Sequence, residues 1–283
     1  MKVLVTGAGG YIGRHVVTAL CDMGADVIAA DLRTDGIDGR AAAVSCDIFS
    51  GKKDLYQELG RPDACLHMAW RDGFVHDSDA HMADLSGHYG FLRDMIDGGL
   101  GHLAVMGTMH EIGYWEGAID ERTPCDPKSM YGIAKDALRR SMSLLAEKRG
   151  ICLQWLRAYY IYGDDLRNHS IFTKLCEAEK AGKKTFPFTS GKNLYDFITV
   201  DELARQLAAC VMQTETVGIV NCCTGRPVSL ADKVEAFIRE HGYAIRLEYG
   251  AFPDRPYDSP GVWGDASKIR TIMDRSRSGR EDA

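Results

Sequence analysis

Along the chain, short apolar runs alternate with longer segments whose apolar residues recur every three or four positions. The short runs predict strands near residues 2–6, 26–30, 42–45, 64–68, 102–107 and 152–157. The helical spacing predicts helices over 10–22, 53–59, 81–98 and 128–149. Strand and helix alternating in this way call for an α/β fold, a parallel sheet wound by helices on both faces. No internal repeat, low-complexity linker or long charge run interrupts the pattern, and the polar residues from Asp274 onward, DRSRSGREDA, are expected to fray.

The first predicted strand runs into VLVTGAGGYIG, residues 3–13, which sets Gly7, Gly10 and Gly13 ahead of a helix. In a strand–turn–helix unit the first glycine permits the tight turn and the second lets the backbone approach a pyrophosphate. The third lets the helix pack on the strand, and here Tyr11 and Ile12 lie between the last two. Phosphates then sit on the helix N-terminus, where free N–H groups and the dipole favour an anion. The second strand leads to Asp31, about 20 residues beyond the turn, where a carboxylate hydrogen-bonds a ribose diol and repels a 2′-phosphate. These residues predict a Rossmann-type doubly wound sheet that binds NAD. Arg33, two residues on, offers a charge to a 2′-phosphate and leaves NADP open. Asp47 reads either as the acceptor for the adenine amino group, with Ile48 packed on the ring, or as an ordinary turn aspartate. The fourth strand ends in LHMAW, residues 66–70, where Met68 and the small Ala69 fall beside the expected cofactor and His67 reads as a locally hydrogen-bonded residue.

Composition narrows the function classes. At 283 residues the chain can bury a large core without disulfide staples. A formal net charge of −6 gives no general basic footprint for nucleic acid or an anionic membrane, and no apolar run reaches the length of a membrane span. The nine cysteines are scattered without CxxC pairs and read as small buried hydrophobes of a reducing compartment. With a strand beginning at the second residue, no signal segment is expected and the location is expected to be cytoplasmic. Residues 71–81, RDGFVHDSDAH, collect three aspartates and two histidines, but their spacing matches no metal motif and no metal is expected. Substrate contact by Arg71 or His76, or a plain solvated loop, are the two readings left.

The fifth strand ends in VMGT, which brings the Thr108 hydroxyl to the end of the sheet where ligand crevices form. A turn-rich segment with Asp120, Pro124 and Pro127 follows, then a predicted helix containing YGIAK, with Tyr131 and Lys135 one turn apart on one face. A phenol ionises near about pH 10 and is a poor acid–base group at neutrality, but an ammonium one turn away favours the phenolate. Tyr131 is therefore the candidate acid–base, Lys135 its tuning partner and a holder of the nicotinamide ribose. Thr108 is the group that fixes the substrate oxygen. YxxxK on a helix is commonplace by itself; its weight here comes from following the glycine turn, Asp31 and Thr108 in that order.

With these pieces in sequence the chain resembles an extended short-chain dehydrogenase/reductase of the NAD-dependent epimerase/dehydratase family. The resemblance is carried by TGAGGYIG at 6–13, Asp31, Asp47 and Ile48, HMAW at 67–70, Thr108 and YGIAK at 131–135. It continues through LRAYYIYG at 156–163, YDFITVDELA at 195–204 and VNCCTGRPVSL at 220–230. It implies catalysis by Thr108, Tyr131 and Lys135, a nucleotide-diphosphate sugar as substrate, and a homodimer formed through the helices at 81–98 and 128–149. It also implies a dinucleotide-binding domain over 1–165, with 194–224 returning to it, and a smaller substrate-binding lobe over 166–283.

Departures from the family narrow the reading. Met109 and His110 stand where the sugar dehydratases carry an Asp-Glu pair, which argues against dehydration. Tyr160 to Asp164 and Tyr195 replace residues near the bound nucleotide sugar in relatives, so its diphosphate is expected to be held differently. Arg255 is the first candidate for that task, with Arg167, Asn168 and Lys192 behind it, and Tyr160 joins the substrate set. The tracts at 70–78 and 107–127 are most similar to reductases of a 4-keto-6-deoxyhexose carried on thymidine diphosphate, which adds His110 and Trp115 as sugar-pocket candidates. The expected function is thus NAD(P)-dependent reduction or oxidation at C4 of a nucleotide-diphospho-6-deoxysugar. A C4 epimerase with retained NAD uses the same three residues, and a dinucleotide-sensing protein without turnover is the non-enzymatic alternative.

Overall fold

The structure is a computed structural model that describes residues 1–163, 170–253 and 259–281. The chain runs through β1 (Lys2–Thr6), α1 (Tyr11–Asp22), β2 (Asp26–Asp31), β3 (Ala42–Ser45), α2 (Leu55–Glu58), β4 (Ala64–His67), α3 (Ala80–Ala83) and α4 (Leu85–Gly98). It continues with β5 (His102–Thr108), β6 (Gly117–Ile119), α5 (Met130–Arg149), β7 (Cys152–Ala158), β8 (Tyr160–Tyr162), α6 (Ile171–Lys180) and β9 (Thr185–Pro187). After β10 (Leu194–Tyr195) and β11 (Phe197–Thr199) come α7 (Val200–Val211), β12 (Gly218–Cys222), β13 (Val228–Ser229) and α8 (Leu230–Glu240). The last elements are β14 (Arg246–Glu248), β15 (Gly261–Gly264) and α9 (Ser267–Glu281).

Seven parallel strands form the central sheet in the order β12-β7-β5-β4-β1-β2-β3, a doubly wound Rossmann-type arrangement. Successive side chains of a strand point to opposite faces, and β1 shows both. Val3 and Val5 join Val16, Val17, Leu203 and Leu207 in a core under α1 and α7, whereas Leu4 joins Leu92, Met95, Leu138 and Met142 under α4 and α5. The chain winds outward from β1 to β3 and returns to β4 on the other side of β1, so a crevice opens between the C-terminal ends of β1 and β4.

Two predicted helices differ from their pattern. The helix expected over 53–59 is only α2, because Leu55 and Leu59 are its sole buried apolar anchors. The helix expected over 81–98 is interrupted at Asp84, whose carboxylate is taken by Arg71 at 3.0 and 3.1 Å. The tail that polarity predicted to fray is helical to Glu281: Ile269 and Ile272 anchor the first turns of α9 in the core, and Asp274 continues the helix by accepting the Ser278 hydroxyl and facing Arg277.

The second half of the chain adds a four-stranded sheet, β13-β10-β15-β6, two paired strands, β11 with β8 and β14 with β9, and a separate core built on Phe172, Leu175, Phe188, Val234 and Phe237. Asp196 ties these segments together from a fully buried position. Its carboxylate accepts the Thr224 and Gly225 N–H groups at 2.9 and 2.8 Å, the Thr224 hydroxyl at 2.5 Å and the Gly264 N–H at 3.2 Å. All nine cysteines are unpaired, five of them buried. Among the described residues no helix is long and apolar enough to cross a membrane.

Candidate active site

The loops after β1, β4 and β5 meet at the crevice. Gly7 takes φ +71°, a conformation that side chains disfavour, and a Cβ there would stand 2.6 Å from the Ala69 nitrogen. A Cβ on Gly13 would stand 2.1 Å from the Gly7 carbonyl oxygen, so α1 can close on the turn only through glycine. At Gly10 a Cβ would meet only the Gly7 oxygen, at 3.1 Å, which leaves this side of the backbone open. The N-cap of α1 makes no side-chain hydrogen bond and no acid occupies its first turn, the setting in which a helix start attracts an anion. Asp31 closes the site on the far side: Oδ2 accepts the Gly9 N–H at 3.0 Å and Oδ1 the Arg33 N–H at 3.3 Å. An uncapped helix start, an open glycine and a carboxylate oriented at the next strand end fit a dinucleotide.

The remaining cofactor candidates surround this turn. The Tyr11 hydroxyl donates to the Gly163 carbonyl at 2.5 Å and its ring lies 6.3 Å from that of Phe74, while Ile12 packs into the core. Asp47 makes the turn contact, its Oδ1 accepting the Phe49 N–H at 2.9 Å, and Ile48 packs against the core under α4. The Met68 and Ala69 N–H groups donate to the Thr6 hydroxyl oxygen at 3.2 and 3.4 Å.

Thr108 ends β5 and caps a single 3₁₀ turn, Met109–Glu111. Its hydroxyl oxygen accepts the His110 N–H at 3.2 Å, and Glu111 Oε1 accepts the Thr108 N–H at 2.8 Å, a reciprocal cap. Glu111 is fully buried, where Oε1 also accepts the Trp155 indole N–H at 2.8 Å and Oε2 faces Arg157 at 3.4 Å and Arg139 at 3.7 Å. Across from this turn, Ser129 caps α5 by accepting the Gly132 N–H at 3.2 Å. A Cβ on Gly132 would stand 2.4 Å from the His110 carbonyl oxygen, so glycine is what lets α5 lean on the turn. That contact brings the Tyr131 phenol to the turn that Thr108 caps, its ring 6.1 Å from that of His110. One turn along, Lys135 Nζ donates to the Met106 carbonyl at 2.8 Å. Burial pushes the Tyr131 phenol above its ordinary range, with the Thr108 hydroxyl opposing it. Burial also lowers Lys135 to about 7, against an upward pull from the Glu111 carboxylate.

Aromatic and imidazole rings enclose the pair. His76 lies 5.4 Å from the Tyr131 ring at 13°, its carbonyl accepts the Tyr131 N–H at 2.9 Å, and its ring is 4.3 Å from His110. Burial lowers His76 and takes His110 down to about 4, so His110 is neutral at physiological pH. Of the other substrate candidates, Arg71 is exposed and paired with Asp84, Trp115 donates its indole N–H to the Ala118 carbonyl at 3.1 Å, and Lys192 is exposed. Tyr160 lies 4.4 Å from the Tyr195 ring and 5.9 Å from that of Phe197. Arg167, Asn168 and Arg255 lie outside the described residues. Glu111 and His88 went unread in the sequence because their partners are set by tertiary packing; Trp70 was read only as the end of HMAW and His81 only as one of the two histidines of 71–81. Among the described residues no group of three or more His, Cys, Asp or Glu side chains is arranged to hold a metal ion.

Residues 3–223 match the NAD dependent epimerase/dehydratase family, and the chain belongs to that family. It is 43% identical over 274 residues to dTDP-6-deoxy-L-talose 4-dehydrogenase (NAD(+)) of Aggregatibacter actinomycetemcomitans, covering 93% of this chain and 99% of the relative. It is 26% identical to UDP-glucose 4-epimerase of Lactobacillus helveticus, over 96% of this chain and 91% of that one. In fold it is similar to UDP-N-acetylglucosamine 4-epimerase from Methanobrevibacter ruminantium M1, solved with UDP-N-acetylmuramic acid, with a TM-score of 0.83 and 19% identity over 96% of this chain and 91% of that chain.

Proposed function

We propose that this protein transfers hydride between NAD and C4 of a nucleotide-diphosphate 6-deoxysugar, with dTDP-6-deoxy-L-talose and its 4-keto counterpart as the substrate pair. The observation that carries this reading is Tyr131 and Lys135 one turn apart on α5, packed on the turn that Thr108 caps, at the strand ends beside the glycine turn. The 43% identity to a 4-dehydrogenase supports the choice of sugar. Gly7, Gly10, Gly13 and the start of α1 hold the pyrophosphate, Asp31 the adenosine ribose, Asp47 and Ile48 the adenine side, and Lys135 the nicotinamide ribose. The nicotinamide, when bound, takes or supplies the hydride. Asp31, already oriented by two backbone N–H groups, favours NAD over NADP.

In oxidation, Tyr131 takes the proton of the C4 hydroxyl; in reduction it returns a proton to the C4 oxygen. Thr108 holds that oxygen, and the charge on Lys135 stabilises the phenolate. Rigid placement of these groups on β5 and α5 supplies much of the acceleration. His76 and His110 flank Tyr131 on the sugar side, Arg71 and Tyr160 contact the sugar nucleotide, and Arg255, outside the described residues, is the candidate for its diphosphate. Residues 1–165 with 194–224 bind the dinucleotide and 166–283 mainly the sugar nucleotide. The protein acts as a cytoplasmic homodimer through α4 and α5, where Met130, Ile133 and Leu144 are exposed while Phe91, Leu92, Met95, Ile96, Leu138, Met142 and Leu145 serve the chain's own core.

The test is incubation with NAD and dTDP-6-deoxy-L-talose. In parallel, thymidine-, guanosine- and uridine-diphosphate 4-ketosugars are offered with reduced cofactor, and product stereochemistry is read by NMR. One cofactor consumed per product is expected. Interconversion of C4 epimers without net redox would replace this reading by an epimerase, and dinucleotide binding without any turnover would replace it by a sensing protein.

A further inference from the structure

A buried ammonium presents three donors and needs surroundings that balance its charge. Lys135 is 2% exposed and gives one donor to the Met106 carbonyl. Glu111, the carboxylate that acts on it through space, is committed to Arg157 and Arg139. What Nζ meets instead is the indole of Trp70, 3.8 Å from the ring centroid. The electron-rich face of an indole attracts a cation, most strongly where water is excluded.

The ring is itself fixed. Its N–H can only donate, and donates to His81 Nδ1 at 3.0 Å; His81 is therefore the Nε2–H tautomer, which donates to the Val75 carbonyl at 2.9 Å. His88 lies against the indole at 4.4 Å and 11°. The orientation of His88 follows from Thr6. The Thr6 hydroxyl oxygen accepts two backbone N–H groups and donates its proton to His67 Nδ1 at 2.8 Å, so His67 Nε2–H donates to His88 Nδ1 at 3.0 Å. The edge of the same indole meets Tyr131, with centroids 6.2 Å apart at 70°.

We propose that Trp70 is a positioning residue for catalysis, whose indole face takes the place of a counter-ion and holds the Lys135 ammonium charged and in place one turn from Tyr131. The inference rests on the catalytic reading of Tyr131 and Lys135. The groups that face this pair are His67 from β4, His88 from α4, His76 and His81 from the loop and α3, and His110 and Glu111 from the turn after β5. Burial keeps His67, His76, His88 and His110 below the ordinary imidazole range, so those four are neutral at and above neutral pH. Without the indole face the ammonium is weakened, less phenolate is available at a given pH, and the acid limb of the oxidation rate moves to higher pH.

The experiment is the pH profile of kcat and KM for oxidation of dTDP-6-deoxy-L-talose by wild type, Trp70→Leu, Trp70→Phe and Tyr131→Phe. Trp70→Leu should move the acid limb up by about one pH unit and lower kcat at neutral pH about tenfold, with KM for the sugar nucleotide unchanged. Trp70→Phe, which keeps a weaker π face but no N–H, should recover part of the shift. A folded Trp70→Leu enzyme with the wild-type limb overturns the proposal, as does a Trp70→Phe enzyme shifted as far as Trp70→Leu. Should Trp70→Leu fail to fold, Trp70→Phe decides alone: a smaller shift of the same sign supports the proposal and a wild-type limb overturns it. Near wild-type turnover by Tyr131→Phe would remove the catalytic reading itself. An inactive Tyr131→Phe beside an unmoved Trp70 limb removes only the role of Trp70.

Discussion

Tyr131 is held among groups that oppose its ionisation, burial first and the Glu111 carboxylate with it, and the Thr108 hydroxyl acts the other way. Removing the phenolic hydroxyl in Tyr131→Phe should lower kcat by about 10²–10⁴-fold, the usual worth of one positioned proton donor. Calorimetric titration with the sugar nucleotide should still detect binding. At the other end of the crevice, Asp31→Ala should raise the ratio of kcat/KM for NADP over NAD, since the carboxylate that repels a 2′-phosphate is gone. An unchanged ratio would remove the ribose role of Asp31. Both residues are legible in the sequence because their meaning is local: Asp31 stands at a fixed distance past a glycine turn, and Tyr131 and Lys135 share a helix face. Asp47 shows the limit of such reading. Its Oδ1 accepts the Phe49 N–H, the turn contact that is one of its two readings.

Between elements, the geometry of the turn after β5 depends on a fully buried carboxylate. Glu111 joins β5, α5 and β7 through Thr108, Arg139, Trp155 and Arg157, all from a position with no solvent exposure. Deleting one partner of a buried ion pair strands the other, so Glu111→Ala should destabilise the fold by about 3–5 kcal/mol in denaturant unfolding. A loss below about 1 kcal/mol would place the pair in the weakly coupled surface class. This hub is illegible in the sequence, since Glu111 lies 46 positions from Arg157 and a glutamate near a turn reads as a solvated one. The same holds for helix lengths. The periodicity over 81–98 gives no sign that Arg71 claims Asp84, and the polarity after Asp274 hides how firmly Ile269 and Ile272 anchor α9. Six of the seven strands of the central sheet are legible because apolar runs bounded by turns read as strands of a parallel sheet; β12 went unread.

For the whole molecule, buried neutral histidines couple stability to acid. His88 lies at about 3, His110 at about 4 and His67 well below its ordinary value, each lowered first by burial. Unfolded histidine titrates near about 6.5, so as pH falls the unfolded chain takes up protons before the folded one does. The contribution of these residues is fully present above about pH 6.5 and is lost as pH falls toward about 4, by about 1–2 kcal/mol per residue at pH 5. Guanidinium midpoints measured across this range should fall with pH; a flat profile would mean that the three rings can be protonated without cost.

The position of β12 has a consequence for synthesis. It is the neighbour of β7 in the central sheet, yet β7 ends at Ala158 and β12 begins at Gly218, about 60 residues later. At ribosomal rates of about 5–20 residues per second, β7 waits roughly 3–12 s as an unpaired edge before its partner emerges. During that interval Leu156 and Ala158 lack the cover they later receive from α7 and Val220. The nascent chain therefore passes through a stage with a bare edge beside its own apolar surface, the arrangement on which holding chaperones act and from which misassembly between neighbouring nascent chains begins.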